Sequence, residues 1–269
     1  MSETIWKVHA LKYAERNART RADSFLFDDD HASQHDMDYF IWVLSDGKRN
    51  IVVDTGYDSD EASKRDRPIL RNPAKALEAI GLDATQIDTV IITHLHYDHA
   101  GGLAQFPNAV FHLQEKEMAY ATGPCMCSGT LKMPFTADHV CQMVQRVYSG
   151  RVVFHNEDGA VADGVTVHRI GGHSRGLQAV RVKTESGYLC LASDAAHYYE
   201  NFIKGKPFPI VVDMEDMFTG FSKIQKLASH KSLVIPGHDP LVTKSFGSEG
   251  TSGFVWRLDK GPSKKIEGV

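Results

Sequence analysis

Short apolar runs rich in β-branched and aromatic residues recur along the chain, each stopped by turn-type residues. KVHALKYA (7–14), DYFIWVLSDG (38–47) and RNIVVDTG (49–56) read as strands, and SDGKRN between the last two carries the Asp46-Gly47 signal of a hairpin turn. NPAKALEAIGL (72–82) predicts a helix. Asn72 can cap it, Pro73 suits its first turn, Ala76, Leu77 and Ile80 form one face, and Gly81 ends it. IDTVIITH (87–94) predicts a buried strand, NAVFHL (108–113) another, and QEKEMAYA (114–121) the start of a helix. Further along, GVTVHRIGG (164–172), LQAVRVKT (177–184) and YLCLASD (188–194) read as strands, FTGFSKIQKLAS (218–229) as a helix and SLVIPGHD (232–239) as a last strand.

Two stretches interrupt this alternation. Residues 14–37 are polar, acidic in FDDDH, and apolar only at Phe25, Leu26 and Phe27; a loop of this length reads either as a substrate flap or as a disordered surface loop. Residues 123–148 read as a helical insertion containing methionine and cysteine. The whole, 1–269, is expected to be one α/β domain, for which 42% hydrophobic residues suffice.

The net charge of −4 and a pI near 6.4 give no basic footprint for nucleic acid. Lys64, Arg65, Arg67 and Arg71, interrupted by Asp66, read as a solvated surface. No apolar run approaches the ~18 residues of a membrane helix, and MSETIWKVHALKYAERN lacks the pattern of a secretory signal. Four cysteines are too few for a disulfide scaffold, and Cys125 and Cys127, one residue apart, are badly placed to pair; reduced thiols and a cytoplasmic location are expected.

The chemistry is concentrated in THLHYDHAGG (93–102). His94 and His96, two apart where a strand leaves its sheet, can point the same way, whereas Asp98 and His99 follow a bend. One ion cannot easily take all four, but two neighbouring ions can, and Gly101 and Gly102 allow a tight turn beside them. Similar settings offer further ligands: His173 in IGGHSRG, Asp194 closing LCLASD, and His238 in IPGHDP. Imidazole and carboxylate suit zinc, with manganese, iron and cobalt compatible, and Asp194 is the best candidate for a bridge. His31, His35, His112, His139, His155, His168 and His230 read as polar surface.

THLHYDHAGG resembles the signature of the metallo-β-lactamase superfamily, and His173, Asp194 and His238 match its later motifs in order and context, over about residues 39–238. The resemblance implies an αβ/βα four-layer sandwich with a dinuclear site at one edge of two sheets. It implies His94, His96 and His173 on one metal, Asp98, His99 and His238 on the other, Asp194 between them, and Asp54 of VVDTG orienting ligands from behind. Within the superfamily the likeness is greatest to the N-acyl-homoserine lactonase group, which includes pyridoxolactonase-type lactonases. It rests on GLDATQIDTVIITHLHYDHAGG, the spacing to GGHSRG and the short distance from SDAA to PGHD.

The expected function is therefore a dinuclear zinc hydrolase in which a metal-bridging hydroxide opens a small cyclic ester, with Asp98 as proton shuttle. No GxSxG elbow suggests a serine nucleophile. The expected partner is a small-molecule lactone, with no nucleic acid or membrane, and the protein a monomer or homodimer. A thioester hydrolase resembling glyoxalase II is the main alternative; that family generally carries a long C-terminal helical domain, and here about thirty residues follow His238. A non-catalytic metal-binding protein is disfavoured by the complete ligand set. Acyl-chain recognition would draw an apolar groove from Phe25, Phe27, Met126, Met133 and Phe135, which are equally compatible with a core. In acyl-homoserine lactonases the third residue after the bridging aspartate is typically tyrosine; here it is His197, with Tyr198 next. The expectation is that His197 holds the substrate carbonyl and Tyr198 forms a neighbouring pocket wall.

Overall fold

The computed structural model describes residues 3–266 and 268–269. Strand β1 (Lys7–Arg16) pairs antiparallel with β2 (Met37–Ser45), which pairs antiparallel with β3 (Asn50–Val53). From there β4 (Thr89–Ile91), β5 (Val110–Gln114) and β6 (Val152–His155) add in parallel. A second sheet runs β7 (Gly159–Ala162), β8 (Val165–Arg169), β9 (Gln178–Thr184), β10 (Gly187–Ser193) and β11 (Val234–Pro236), with only the last pair parallel. Strands β12 (Gly247–Ser248) and β13 (Val255–Arg257) return to the first sheet beside β1.

Strand β2 shows why two cores form. Its successive side chains point to opposite faces, and both faces are apolar: Tyr39, Ile41 and Val43 join one core, Phe40, Trp42 and Leu44 the other. The second core fills the space between the sheets, where Trp6, Val8 and Trp42 cluster with Val165, Val167 and Val180. The first lies under helices α1 (Ser59–Arg65), α2 (Pro73–Ala76), α3 (Tyr97–Ala100), α4 (Glu115–Ala121), α5 (Gly129–Lys132) and α6 (Ala137–Tyr148), through residues such as Ala62, Ala76, Tyr120 and Met143. On the far side, α7 (Tyr199–Lys204), α8 (Met214–Leu227) and α9 (Leu241–Ser245) complete the second core; Met217, Phe221 and Ile224 make the helical stripe of α8. The layers run helix, sheet, sheet, helix, the four-layer α/β sandwich expected from the sequence. Among the described residues no helix is long and apolar enough to cross a membrane.

Several boundaries differ from the sequence reading. The helix expected over 72–82 starts as predicted, with Asn72 accepting from the Lys75 amide, but Leu77–Ile80 tightens to a 3-10 turn before Gly81. Strand β1 reaches Arg16, so the loop expected from residue 14 begins three residues later. Within that loop Phe25 is core, whereas Phe27 is 73% exposed. Strands β6, β7, β12 and β13 and helices α1 and α7 carry no strong periodicity and were not expected; the strands are short and sit at or near sheet edges.

The strands expected to carry ligands all deliver them to one edge. Parallel β3 and β4 end together, as do parallel β10 and β11, and the chain leaves each at Asp54, Thr93, Asp194 and Gly237.

Candidate metal centre and active site

Two residues at these exits, Asp54 and Ser193, adopt left-handed backbone (φ 61° and 47°), sparsely populated for any residue with a Cβ. Each bends the chain sharply out of its strand at the site. Close packing of backbone also explains the glycines. A Cβ at Gly102 would lie 2.5 Å from the Thr55 carbonyl, and one at Gly237 would lie 2.6 Å from the Asp194 carboxylate.

The ring orientations follow from what stands behind them. His99 Nδ1 lies 2.7 Å from Asp54, His173 Nδ1 2.8 Å from the Ile210 carbonyl, and His238 Nδ1 2.9 Å from the Asp38 carbonyl. Those oxygens only accept, so each Nδ1 donates and each Nε2 is left bare. His94 Nδ1 is 3.1 Å from the Thr93 hydroxyl, which itself donates to Asp54 at 2.8 Å. A hydroxyl donating elsewhere accepts here, so His94 also presents a bare Nε2. His96 is reversed: its Nδ1 faces His173 Nε2 at 3.0 Å.

The bare nitrogens converge on one carboxylate and divide between its oxygens. Asp194 Oδ2 is 3.8 Å from His94 Nε2 and 3.3 Å from His173 Nε2; His197 Nε2, not one of these bare nitrogens, lies 3.0 Å from the same oxygen, where it faces an acceptor. Asp194 Oδ1 is 3.3 Å from His99 Nε2 and 3.0 Å from His238 Nε2. Asp98 Oδ2 lies on the latter side, 3.7 Å from His99 Nε2 and 3.8 Å from His238 Nε2. His94, His96 and His173 form one set of donors within 4.8 Å of one another, and Asp98, His99 and His238 another.

These groups fit a pair of metal ions. His94 Nε2, His99 Nε2 and Asp194 Oδ1 are buried and make no hydrogen bond among the described residues, a costly state that ligation would remove. Burial, helped by neighbouring imidazoles, holds His94 and His96 neutral, the form that ligates. Burial also acts to lower His99, but Asp194, Asp98 and Asp54 around it outweigh that and raise it well above an ordinary imidazole. Three carboxylates gathered on one ring call for a cation.

A further carboxylate holds the two ligand loops together. Glu117 on α4 is fully buried and accepts from the Leu95 amide (2.9 Å), the Ser174 hydroxyl (2.5 Å) and the Gly176 amide (2.9 Å). It thereby clamps the loop of His94 and His96 to that of His173. Its partners lie far away in the sequence, and no local pattern marked it.

The structure brings together all seven expected ligands and His197. It does not bring Tyr198 to the cavity lined by His96, Asp98, His173, Asp194, His238 and His197. The Tyr198 hydroxyl points to Ser24 at 3.4 Å and its ring packs on Phe25 and His35, so the expected pocket wall belongs to a different pocket, behind the 17–36 loop. His197 instead stacks on Phe208, with centroids 3.5 Å apart. Of the residues expected to form an apolar groove, Phe135 reaches the site, its ring 4.6 Å from that of His96, while Met133 is largely exposed.

Two surface readings are corrected. His139 and His155 are buried, His155 pairing with His112 at 2.9 Å, while His31 and His230 are exposed as expected. Of the presumed solvated cluster only Lys64 is exposed: Arg65 binds the Met133 and Phe135 carbonyls, Arg71 the Lys12 carbonyl, and Arg67 the Tyr97 hydroxyl inside the cavity. Apolar stems and backbone acceptors let these charges sit half-buried, which composition does not reveal.

Residues 37–245 match the family model described as the metallo-beta-lactamase superfamily. The chain belongs to this superfamily. Among relatives in it, the N-acyl homoserine lactonase AttM of Azorhizobium caulinodans is 28% identical over 173 residues, which is 63% of this chain and 65% of that one. The N-acyl homoserine lactonase of Bacillus cereus is 27% identical over 165 residues, 61% of this chain and 60% of that one. The chain thus spans somewhat less than two thirds of these relatives' length. A crystal structure of a quorum-quenching N-acyl homoserine lactone lactonase superimposes with a TM-score of 0.73 at 21% identity, covering 90% of this chain and 95% of that chain. AidC, a dizinc quorum-quenching lactonase, gives 0.69 at 16% identity, covering 99% and 97%. These superpositions show the metallo-β-lactamase fold.

Proposed function

We propose that this superfamily member is a dinuclear metal-dependent hydrolase that opens a small lactone. The observation that carries this reading is the division of Asp194: one oxygen faces the His94 and His173 side, the other the His99 and His238 side. Relatives named as N-acyl homoserine lactonases support the reaction class, and the dizinc neighbour supports zinc. Two such ions, held by these residues, would supply a water acidic enough to ionise near neutral pH and a Lewis acid for the ester carbonyl.

The side chains do the rest. Asp98 is the ligand most open to the cavity, its side chain 12% exposed, and we assign it to take the proton of the attacking water and return it to the ring oxygen as that leaves. The cavity is small, about 70 Å³, which suits a compact ring. We place the protein in a reducing, cytoplasmic setting, which its four free cysteines suit.

His197 acts on Asp194. Burial lowers its pKa to about 3 despite the adjacent carboxylate, so it is neutral at pH 7, with Nε2 3.0 Å from Asp194 Oδ2. In this reading it positions the bridging carboxylate. His197→Ala is expected to weaken metal binding about 10- to 100-fold, with kcat/KM largely restored by excess zinc. Tyr198→Phe should leave both within about twofold, the size of a lost weak hydrogen bond. If His197→Ala keeps its metal and still loses activity at saturating zinc, the imidazole touches substrate instead.

The reaction class is tested by proton release from the zinc-loaded protein with γ-lactones, N-acyl homoserine lactones, S-lactoylglutathione and a β-lactam. Lactones should turn over fastest. A thioester hydrolysed far faster than every lactone would replace this reading with that of a thioesterase.

A further inference from the structure

We propose that Arg16, Arg19 and Arg67 form an anion subsite at the mouth of the metal cavity, and that the lactone carries a carboxylate or phosphate bound there. This rests on the lactonase reading and names its substrate class. All three side chains line the cavity that holds Asp98, Asp194 and His197. Among the described residues none of the three forms an ion pair, although arginines beside them do: Arg21 is bound by Asp28 and Glu200, and Arg65 by Glu61.

Arg19 is the most telling. It is only 7% exposed, and its Nε has no hydrogen-bond partner among the described residues. Its terminal nitrogen donates to the Asp23 carbonyl and the Ser24 hydroxyl; the Asp23 carboxylate, held low by the Thr20 amide and by the fields of Arg19 and Arg16, is turned to Thr20 and makes no ion pair with either guanidinium among the described residues. The guanidinium stands 5.7 Å over the Phe208 ring, the same ring that stacks on His197. Arg67 donates to the Tyr97 hydroxyl, and burial keeps that phenol un-ionised. The carboxylate whose field reaches Arg67 is Asp98, already committed to the metal set. Arg16 ends β1 at the same mouth, with no side-chain hydrogen bond among the described residues.

Guanidiniums do not titrate in the working range, so three of them beside one small cavity repel one another permanently. An oxyanion relieves that repulsion, and the planar fork of arginine matches carboxylate and phosphate oxygens with paired hydrogen bonds. A neutral acyl-homoserine lactone would leave the three guanidiniums without a direct ion-pair partner. A ring bearing its own anion, beyond the carbonyl that reacts, would not.

The test compares γ-butyrolactone with its γ-carboxylate on the zinc-loaded protein. Comparison within one ring chemistry separates charge from the choice between lactone and thioester. The carboxylate should be preferred in kcat/KM by roughly tenfold or more, the scale of one charged hydrogen bond. Arg19→Gln and Arg67→Gln should each erase most of that preference, through KM rather than kcat, and 0.5 M salt should shrink it in the wild type. Arg16→Gln, at the end of a strand, serves where Arg19→Gln fails to fold. Calorimetry with tetrahydrofuran-2-carboxylate, tetrahydrofurfuryl phosphate and neutral tetrahydrofuran needs no turnover. Binding of an anionic ring, weakened in the variants, with no lactone hydrolysed would uphold the subsite and refute the lactonase reading; the tighter of the two anions identifies the group. Lactone turnover without charge preference, or variants that lower both lactones equally, would overturn the subsite.

Discussion

Asp194→Asn should lower lactone kcat/KM by about a thousandfold, since the electrostatic stabilisation at stake is several kcal/mol and each 1.36 kcal/mol is tenfold. An amide can offer one oxygen but turns an NH2 toward the opposite set of nitrogens. Whichever way it flips, it fails either His94 and His173 or His99 and His238. Metal content measured on the purified variant should fall for both ions together. The fold should persist, because Asp194 lies at the exit of β10 and its backbone bonds are unaffected. A variant that keeps two ions and near-normal turnover would remove Asp194 from the centre of the mechanism.

The largest expected effect on stability is at Glu117. Truncation to alanine strands the Leu95 and Gly176 amides and the Ser174 hydroxyl in a buried site. Each buried unpaired group costs about 1–3 kcal/mol. Relief of the carboxylate's own burial, which raises its pKa, offsets part of the loss. A net loss of about 3 kcal/mol is expected, or roughly 6–12 °C in Tm for a chain of this size. Calorimetry on the variant checks this; a Tm within about one degree of wild type would show that the clamp is not structural. Metal affinity should fall as well, since the clamp fixes the loops of His96 and His173.

Glu117 also marks the boundary of what the sequence could convey. The donor cluster was legible because ligation needs several donors of fixed type, and HxHxDH packs four into one loop; the remaining three candidates follow apolar strands that end in Gly, Pro or Asp, and the structure gathers all seven. The α/β class was legible from the alternation of strands and helices, and the four-layer sandwich from the likeness of THLHYDHAGG to the superfamily signature. Long-range partnerships were not. Glu117 binds backbone near residues 95 and 176, and Arg67 enters the cavity from a segment that reads as charged surface. Tyr198 was misplaced because one residue of register decides which side of a strand exit a ring faces, and His197 took the inner side. The short strands β6, β7, β12 and β13 owe their pairing to neighbours rather than to their own pattern.

The measurement that bears most directly on the dinuclear hydrolase is the metal content of the wild-type chain, purified without chelator and then titrated with zinc while lactone turnover is followed. Two equivalents per chain, with full turnover only once the second is bound, is the predicted result. One equivalent with full activity would contradict it.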